Sequence, residues 1–380
     1  MACLPLSFPV SSRLSASVPC PAPAHRAPAA LPAVLPAVLP VLLLLVVLFQ
    51  FFLSASPVSA QERIAAFARQ LQSLEYAHGA RIALAAHEVH SGRTLFFRAS
   101  ERVPFCSTFK VFLVAEILHR ADVLTRDPQP GAHVRVQPEA QARNADQNPD
   151  QNPAEHPADS LDMQEQTGLL DRILTWTPEE EVAWSPVTQG RGTAGLSVAE
   201  LCRAAITLSD NTATNVLLRL AGGPASLTRA VHLMGNQSFE LADYEPALNR
   251  EQRESSANTG TASGFLAGLR RVLLGDFLSR ESRDRLLSWM RATETGRDRM
   301  AAGLPAGWQL AHKTGSGGGL VHDMGLLVSP EGRQILLVLF SRDARPEAGR
   351  RADSGVLLAA ATRLLLQEWG YTGERDGRQE

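Results

Sequence analysis

Phe105-Cys106-Ser107-Thr108-Phe109-Lys110-Val111-Phe112-Leu113 is the stretch from which the fold can be read outward. Its apolar residues recur at helical spacing, with Phe109, Phe112, Leu113 and Ile117 on one face. A helix therefore starts near Ser107. Ser107 and Lys110 stand three apart and share one side of it. Phe105-Cys106 before the pair and Val111-Phe112-Leu113 after it make this a partly buried helix start. A serine hydroxyl is a weak nucleophile until a neighbouring base takes its proton. A lysine serves as that base when burial or a cationic neighbour lowers its pKa. The start of a helix also favours developing negative charge. Taken alone, Ser-x-x-Lys is equally well an N-cap serine followed by a surface lysine.

Upstream, Ile64, Phe67, Leu71 and Leu74 have helical spacing between residues 61 and 77. Arg81–His90 and Thr94–Arg98 read as strands joined by a Ser91-Gly92 turn. Downstream, helical patterns run over Val198–Leu208, Thr212–Leu220, Ala225–Met234, Ala262–Leu274 and Glu281–Met290. Strands return at Trp308–Lys313, Met324–Val328 and Gln334–Phe340, and a last helix covers Ala352–Trp369. Strands at both ends with helices between them imply one sheet built from both termini, with a helical subdomain inserted. The groove between two such halves is a natural place for a site. Between about residues 136 and 166 the chain is rich in Asn, Gln, Asp, Pro and Ala. Such a segment buries too little apolar surface to offset its ordering entropy, and is expected to be a disordered surface insertion.

The chain has 380 residues, is 44% hydrophobic and carries a formal net charge of −2. That is apolar material enough for a large core, without the basic face that nucleic acid requires. Nor does it give an electrostatic reason to bind anionic lipid. Residues 1–60 read as a signal peptide. An apolar run from Val41 to Leu53, broken only by Gln50, precedes small residues at Val58 and Ala60, which suits cleavage after Ala60. The run is short of the ~20 residues that span a bilayer. Of four cysteines, Cys3 and Cys20 fall in this segment, and no Leu-x-x-Cys lipid-attachment pattern follows the apolar run.

Three more stretches carry chemistry. Ser209-Asp210-Asn211 lies between two helical patterns. There a short serine can relay a proton and an amide can hold a carbonyl, although all three residue types are also preferred helix caps. Lys313-Thr314-Gly315 ends a strand, with Gly315–Gly319 read as a turn. A cation and a hydroxyl there suit a carboxylate, and Gly315 permits close backbone approach. The N–H groups of Ser316 and Ser107 can together form an oxyanion hole. In Glu245-Pro246-Ala247-Leu248-Asn249 the proline biases Glu245 toward an extended loop. Glu245 and Asn249 can grip one water, with the carboxylate as general base. Each motif singly is more often structural. All four, in this order, are very improbable by chance.

Together these motifs resemble the class A serine β-lactamases, within the penicillin-recognising serine enzymes. Trp184-Ser185-Pro186-Val187-Thr188, Gly222-Gly223-Pro224 and Leu304-Pro305-Ala306-Gly307-Trp308 extend the resemblance over roughly Ile64–Trp369. It implies an α+β fold, β-lactamase/transpeptidase-like: a mainly antiparallel five-stranded sheet flanked by helices, with an inserted all-helical subdomain. The α/β part would span about 61–105 and 300–370, and the helical part about 106–299. The implied activity is hydrolysis of the β-lactam amide through a serine acyl-enzyme, conferring resistance, with no cofactor and no metal. Ser107 attacks, and Lys110 and Glu245 share proton management, one of them being the acylation base. Ser209 relays a proton to the ring nitrogen, and Glu245 with Asn249 holds the deacylating water. Asn211 binds the acylamide side chain and Trp184 packs on the substrate. Lys313, Thr314 and Ser316 bind its carboxylate. The expected partner is a small-molecule β-lactam, with no nucleic acid and no stable membrane association. The mature chain is expected to be monomeric and periplasmic.

The departures from the family pattern are informative. Counting from Gly315, His322 stands near the place where many members carry a carboxylate-binding arginine, and Arg299, before Leu304-Pro305, is expected to take that role. Asp243 and Asn258 occupy the places of an arginine–aspartate pair that ties the loop bearing Glu245. Other contacts must hold that loop, or it moves more. Val114 and Gly317 stand where cysteine partners of Cys202 and Cys106 occur in some members, so both thiols are expected to be free. The rival readings are a penicillin-binding D,D-peptidase and a non-hydrolytic β-lactam sensor. Glu245 with Asn249 favours the hydrolase, because a D,D-peptidase lacks a base for rapid deacylation.

Overall fold

The computed structural model describes residues 60–126, 168–250, 255–344 and 354–371. The expected signal segment, up to Ser59, and the polar insertion at 136–166 lie outside the described residues. The first elements are α1 (Ala60–His78), β1 (Ala80–Glu88), β2 (Thr94–Phe97) and β3 (Arg102–Pro104). A 3₁₀ turn over Cys106–Phe109 leads into α2 (Lys110–Arg126). Next come β4 (Ile173–Leu174), β5 (Leu196–Ser197), α3 (Val198–Thr207), α4 (Asn211–Leu220) and α5 (Gly223–Leu233). They are followed by β6 (Thr259–Thr261), α6 (Ala262–Leu273), α7 (Arg280–Arg291) and α8 (Met300–Gly303). The chain closes with β7 (Gln309–Gly317), β8 (Leu320–Val328), β9 (Gln334–Asp343) and α9 (Ser354–Glu368).

Both ends of the chain build one sheet, in the order β2-β1-β9-β8-β7 with every pair antiparallel. β9 is the middle strand and is apolar on both faces, as a strand covered on two sides must be. Its alternate residues serve two cores. Leu336, Val338 and Phe340 pack toward the helices with Phe105, Phe112, Phe239 and Phe265. Ile335, Leu337 and Leu339 pack on the other side with Phe67 and Leu71 of α1 and Leu357, Leu358 and Leu365 of α9. Each such side chain stabilises the fold by ~1.5–3 kcal/mol on burial. Ile64 departs from the expected α1 stripe: it is 60% exposed, and the buried face begins at Phe67.

The Lys-Thr-Gly stretch needs a larger correction. It lies inside β7 and not at its end. Lys313 pairs with Met324, Thr314 with Asp323 and Gly315 with His322. The turn is Gly318-Gly319 alone, both at positive φ, the conformation a two-residue hairpin needs. Gly315 serves close approach instead. A Cβ there would lie 3.0 Å from the Phe105 carbonyl and 3.1 Å from Cys106 Cβ. β7 is thereby pressed against the turn that carries Ser107.

Far from that turn, the hairpin end of β1 is fixed by the fully buried Glu88. Its carboxylate accepts from Ser91, from Tyr371 and from Arg93 Nε at 2.8 Å, with Arg333 at 3.6 Å. Burial by itself raises the Glu88 pKa. The hydrogen bonds from Ser91, Tyr371 and Arg93 outweigh it and hold the group at about 2, against an ordinary 4.5. A depressed native pKa gives stability that is present above the unfolded value and is lost as pH falls through the native one. Glu88→Gln should lower Tm at pH 7 by about 5 °C. By calorimetry the parent chain should lose Tm as pH falls from 4.5 to 2, and the variant should show a flatter fall.

Candidate active site

The helix-start prediction resolves into two pieces. Cys106–Phe109 forms a 3₁₀ turn, and the α-helix proper begins at Lys110. Cys106 sits at φ +48°, a sparsely populated conformation for a residue with a Cβ. This turn carries Ser107 into the groove with its Oγ 3.1 Å from Glu245 Oε1, to which it donates. Lys110 Nζ approaches the same carboxylate oxygen at 3.1 Å. Ser107 and Lys110 thus meet through Glu245. Both charged side chains are fully buried.

The other donors of Lys110 Nζ go to Asn211 Oδ1 at 2.7 Å, the Ser209 carbonyl at 2.9 Å and Ser209 Oγ at 3.3 Å. Lys313 Nζ donates to Ser209 Oγ at 3.0 Å and to the Thr314 carbonyl at 2.8 Å. Ser209 Oγ therefore lies between two ammonium groups. Burial lowers the Lys110 pKa, an effect opposed by the charge of Glu245. Burial, reinforced by Lys110 and Arg299, takes Lys313 well below the ordinary lysine value.

Ser209-Asp210-Asn211 is both a helix cap and part of the site. Asp210 is the N-cap of α4 and accepts from Ala213 N at 2.8 Å. It also accepts from Val187 N and from Thr188 N and Oγ1, and so pins the segment that follows Trp184. Its neighbours are left for the groove, Ser209 at φ +60°. Trp184 is 66% exposed. Its indole donates to the Leu208 carbonyl, and its own carbonyl accepts from Asn211 N.

Glu245 is aimed by Asn215, one helical turn beyond Asn211. Asn215 donates to the Glu245 carbonyl and accepts from its N–H, both at 2.9 Å. Asn249 Nδ2 donates to Glu245 Oε2 at 2.6 Å, while Asn249 Oδ1 is buried with no partner among the described residues. Asn258 replaces the missing ion pair of this loop. It donates to Asp243 Oδ2 at 2.8 Å and accepts from Ala242 N and Asp243 N. Of the two consequences open in the sequence, other contacts hold the loop.

At the open end of β7, Arg299 Nη2 donates to Ser316 Oγ at 2.7 Å. Its Nη1 donates to the carbonyls of Gly315 and His322. The hydroxyls of Thr295 and Thr314 lie 2.5 Å apart. Cys106 and Cys202 are both buried and free. A Cβ on Gly317 would lie 3.5 Å from Cys106 Sγ, so the place for a bridging partner exists but the residue does not. The structure joins every expected site residue to this network. Sequence reasoning passed over Asn215 and Thr295. The spacing of Asn215 from Asn211, four residues along one helix, was the available signal for the first.

A model of the β-lactamase enzyme family matches residues 161–369. The β-lactamase FAR-1 of Nocardia farcinica is 33% identical over 78% of this chain and 81% of its own. The carbapenem-hydrolysing β-lactamase KPC of Klebsiella oxytoca is 31% identical over 81% of this chain and 90% of its own. Among solved structures, the β-lactamase of Desulfarculus baarsii superposes with a TM-score of 0.66 at 32% identity, covering 81% of this chain and 99% of that one. The last common ancestor of Gram-negative class A β-lactamases gives a TM-score of 0.64 at 33% identity, over 80% and 99%. With four motifs joined in one hydrogen-bond network through Glu245, Lys110 and Ser209 and relatives matched over most of their length, this chain belongs to the class A serine β-lactamase family.

Proposed function

We propose that Ser107 opens the β-lactam amide and that a water activated by Glu245 releases the resulting ester. The observation that carries this reading is the single Glu245 oxygen shared by the Ser107 hydroxyl and the Lys110 ammonium. In acylation the Ser107 oxygen bonds to the lactam carbonyl carbon, and its proton passes to the Lys110–Glu245 pair. The backbone N–H groups of Ser107 and Ser316 take up the charge on the carbonyl oxygen. The C–N bond then breaks, and Ser209, hydrogen-bonded to both lysines, delivers a proton to the ring nitrogen. In deacylation Glu245 takes a proton from water whose oxygen attacks the ester, and the serine leaves with its proton restored. Asn249 Oδ1, buried and without a partner among the described residues, can accept from that water.

The substrate carboxylate is held at the open end of β7 by Lys313, Thr314, Ser316 and Arg299. Lys110 and Arg299 lie close enough to act electrostatically on Lys313, with Glu245 and Asp323 as counter-charges, and these cations suit an anionic ligand. Asn211 receives the acylamide side chain and Trp184 covers it. Every one of these groups comes from one chain, in keeping with a monomer. Export to the periplasm with cleavage after Ala60 follows from residues 1–60, and N-terminal sequencing of the exported protein should begin at Gln61.

Glu245→Gln should reduce turnover of a chromogenic cephalosporin by ~10²–10⁴, the usual contribution of a general base. Mass spectrometry should then find the drug trapped as an ester on Ser107, and an adduct-free variant would contradict the scheme. Arg299→Ala should raise KM for penicillins about ten-fold or more, a lost hydrogen bond between charged groups being worth ~1.5–3 kcal/mol. An unchanged KM would remove Arg299 from carboxylate binding.

A further inference from the structure

His322 stands near the place where related enzymes carry a substrate-binding arginine, yet it points away from the open groove. Leu320, Met324 and Leu326 share its face of β8 and belong to the helix-side core. His322 is fully buried in that row, with its ring 4.9 Å from the Phe340 ring. A polar ring there is tolerated only if both nitrogens are satisfied. Both are. Nε2 lies 2.8 Å from the Pro104 carbonyl, which can only accept, and Nδ1 accepts from Ser341 N at 3.1 Å. The partners fix one neutral tautomer, with the proton on Nε2. Burial lowers the His322 pKa to about 4, a shift to which the Arg299 and Arg342 charges add, so the ring stays neutral under working conditions.

The two ends of this ring reach different parts of the site. Pro104 precedes the nucleophile by three residues, and Ser341 lies on the middle strand β9. Across the hairpin His322 pairs with Gly315, whose surroundings leave only a tight fit for a Cβ against the Ser107 turn. The His322 carbonyl also accepts from Arg299 at 2.7 Å. We propose that His322 is a positioning residue for the nucleophile: its Nε2–H holds the Pro104 carbonyl and so sets the distance between the Ser107 turn and β7. The inference rests on the reading of Ser107 as the nucleophile. It assigns the imidazole an effect on acylation and none on substrate binding.

Two substitutions separate the ends of the ring. The amide nitrogen of Gln can reach the place of Nε2 and keep the bond to Pro104. The oxygen of Asn can replace Nδ1 and keep the bond from Ser341, but leaves Pro104 unheld. In single-turnover acylation by a chromogenic cephalosporin, His322→Asn should slow the acylation rate about ten-fold or more, as misplacement of a reacting group by a fraction of an ångström does. Its substrate dissociation constant should stay within about two-fold, and His322→Gln should recover most of the rate. Thermal unfolding of both variants supplies the control, since a packing role alone would lower Tm and acylation together in both. Wild-type acylation in His322→Asn, or equal losses in the two variants, would overturn the proposal. A parent chain that gains no covalent mass on Ser107 would instead remove the reading of the nucleophile beneath it.

Discussion

The buried pair of Lys110 and Glu245 is the constraint around which the site is arranged. Two charges taken fully out of water lose several kcal/mol of hydration each, and their attraction repays this only when the remaining donors and acceptors are also satisfied. The chain meets that condition with short polar residues from three separate stretches. Asn211 and Ser209 take the other protons of the ammonium. Ser107 and Asn249 donate to the carboxylate, one to each oxygen. Asn215 fixes the backbone that carries it. The pair therefore does more than join two charges. It dictates which polar side chains the groove must contain and where each must point.

Meeting that demand requires unusual backbone. Four of the five non-glycine residues at positive φ among the described residues are Cys106, Trp184, Ser209 and Asn258. Each borders the site or the loop that bears Glu245. Such conformations cost of order 1–3 kcal/mol and persist only where the surroundings over-determine them. Here the surroundings are regular elements whose own ends are tied. Asp210 caps α4 and in the same act pins Val187 and Thr188. The capping box of Ser197 and Glu200 starts α3, whose far end delivers Ser209. Strain at the groove is held by order one turn away.

Much of this was legible because the same residues serve fold and site. Ser209-Asp210-Asn211 read equally well as a cap and as chemistry, and it is both. The helix start at Ser107 was visible from the spacing of Phe109, Phe112 and Leu113, all fully buried. The glycines after Lys313 misled because glycine has two uses. Gly318-Gly319 turns the chain, but Gly315 is favoured by close contact with Phe105 and Cys106, a fact of tertiary packing that no local pattern displays. Thr295 was hidden for a similar reason: its hydroxyl matters only because the loop before Arg299 folds onto Thr314. Ile64 fits a helical stripe by spacing, yet α1 begins to contact the sheet only at Phe67. Periodicity locates a face but not where its partner starts.

The loop bearing Glu245 shows how a lost ion pair can be replaced without lost order. A salt bridge between flexible side chains is attractive over a range of distances but weakly directional, and salt screens it where it is exposed. Asn258 is 1% exposed and offers one donor side and one acceptor side in a fixed plane. Its amide nitrogen holds the Asp243 carboxylate, its oxygen collects two successive backbone N–H groups, and its own carbonyl accepts from Phe105 N. That last bond links the Glu245 loop to the residue two before Ser107. The neutral amide thus ties the Glu245 loop to the turn bearing Ser107, whose hydroxyl and the Glu245 carboxylate lie 3.1 Å apart.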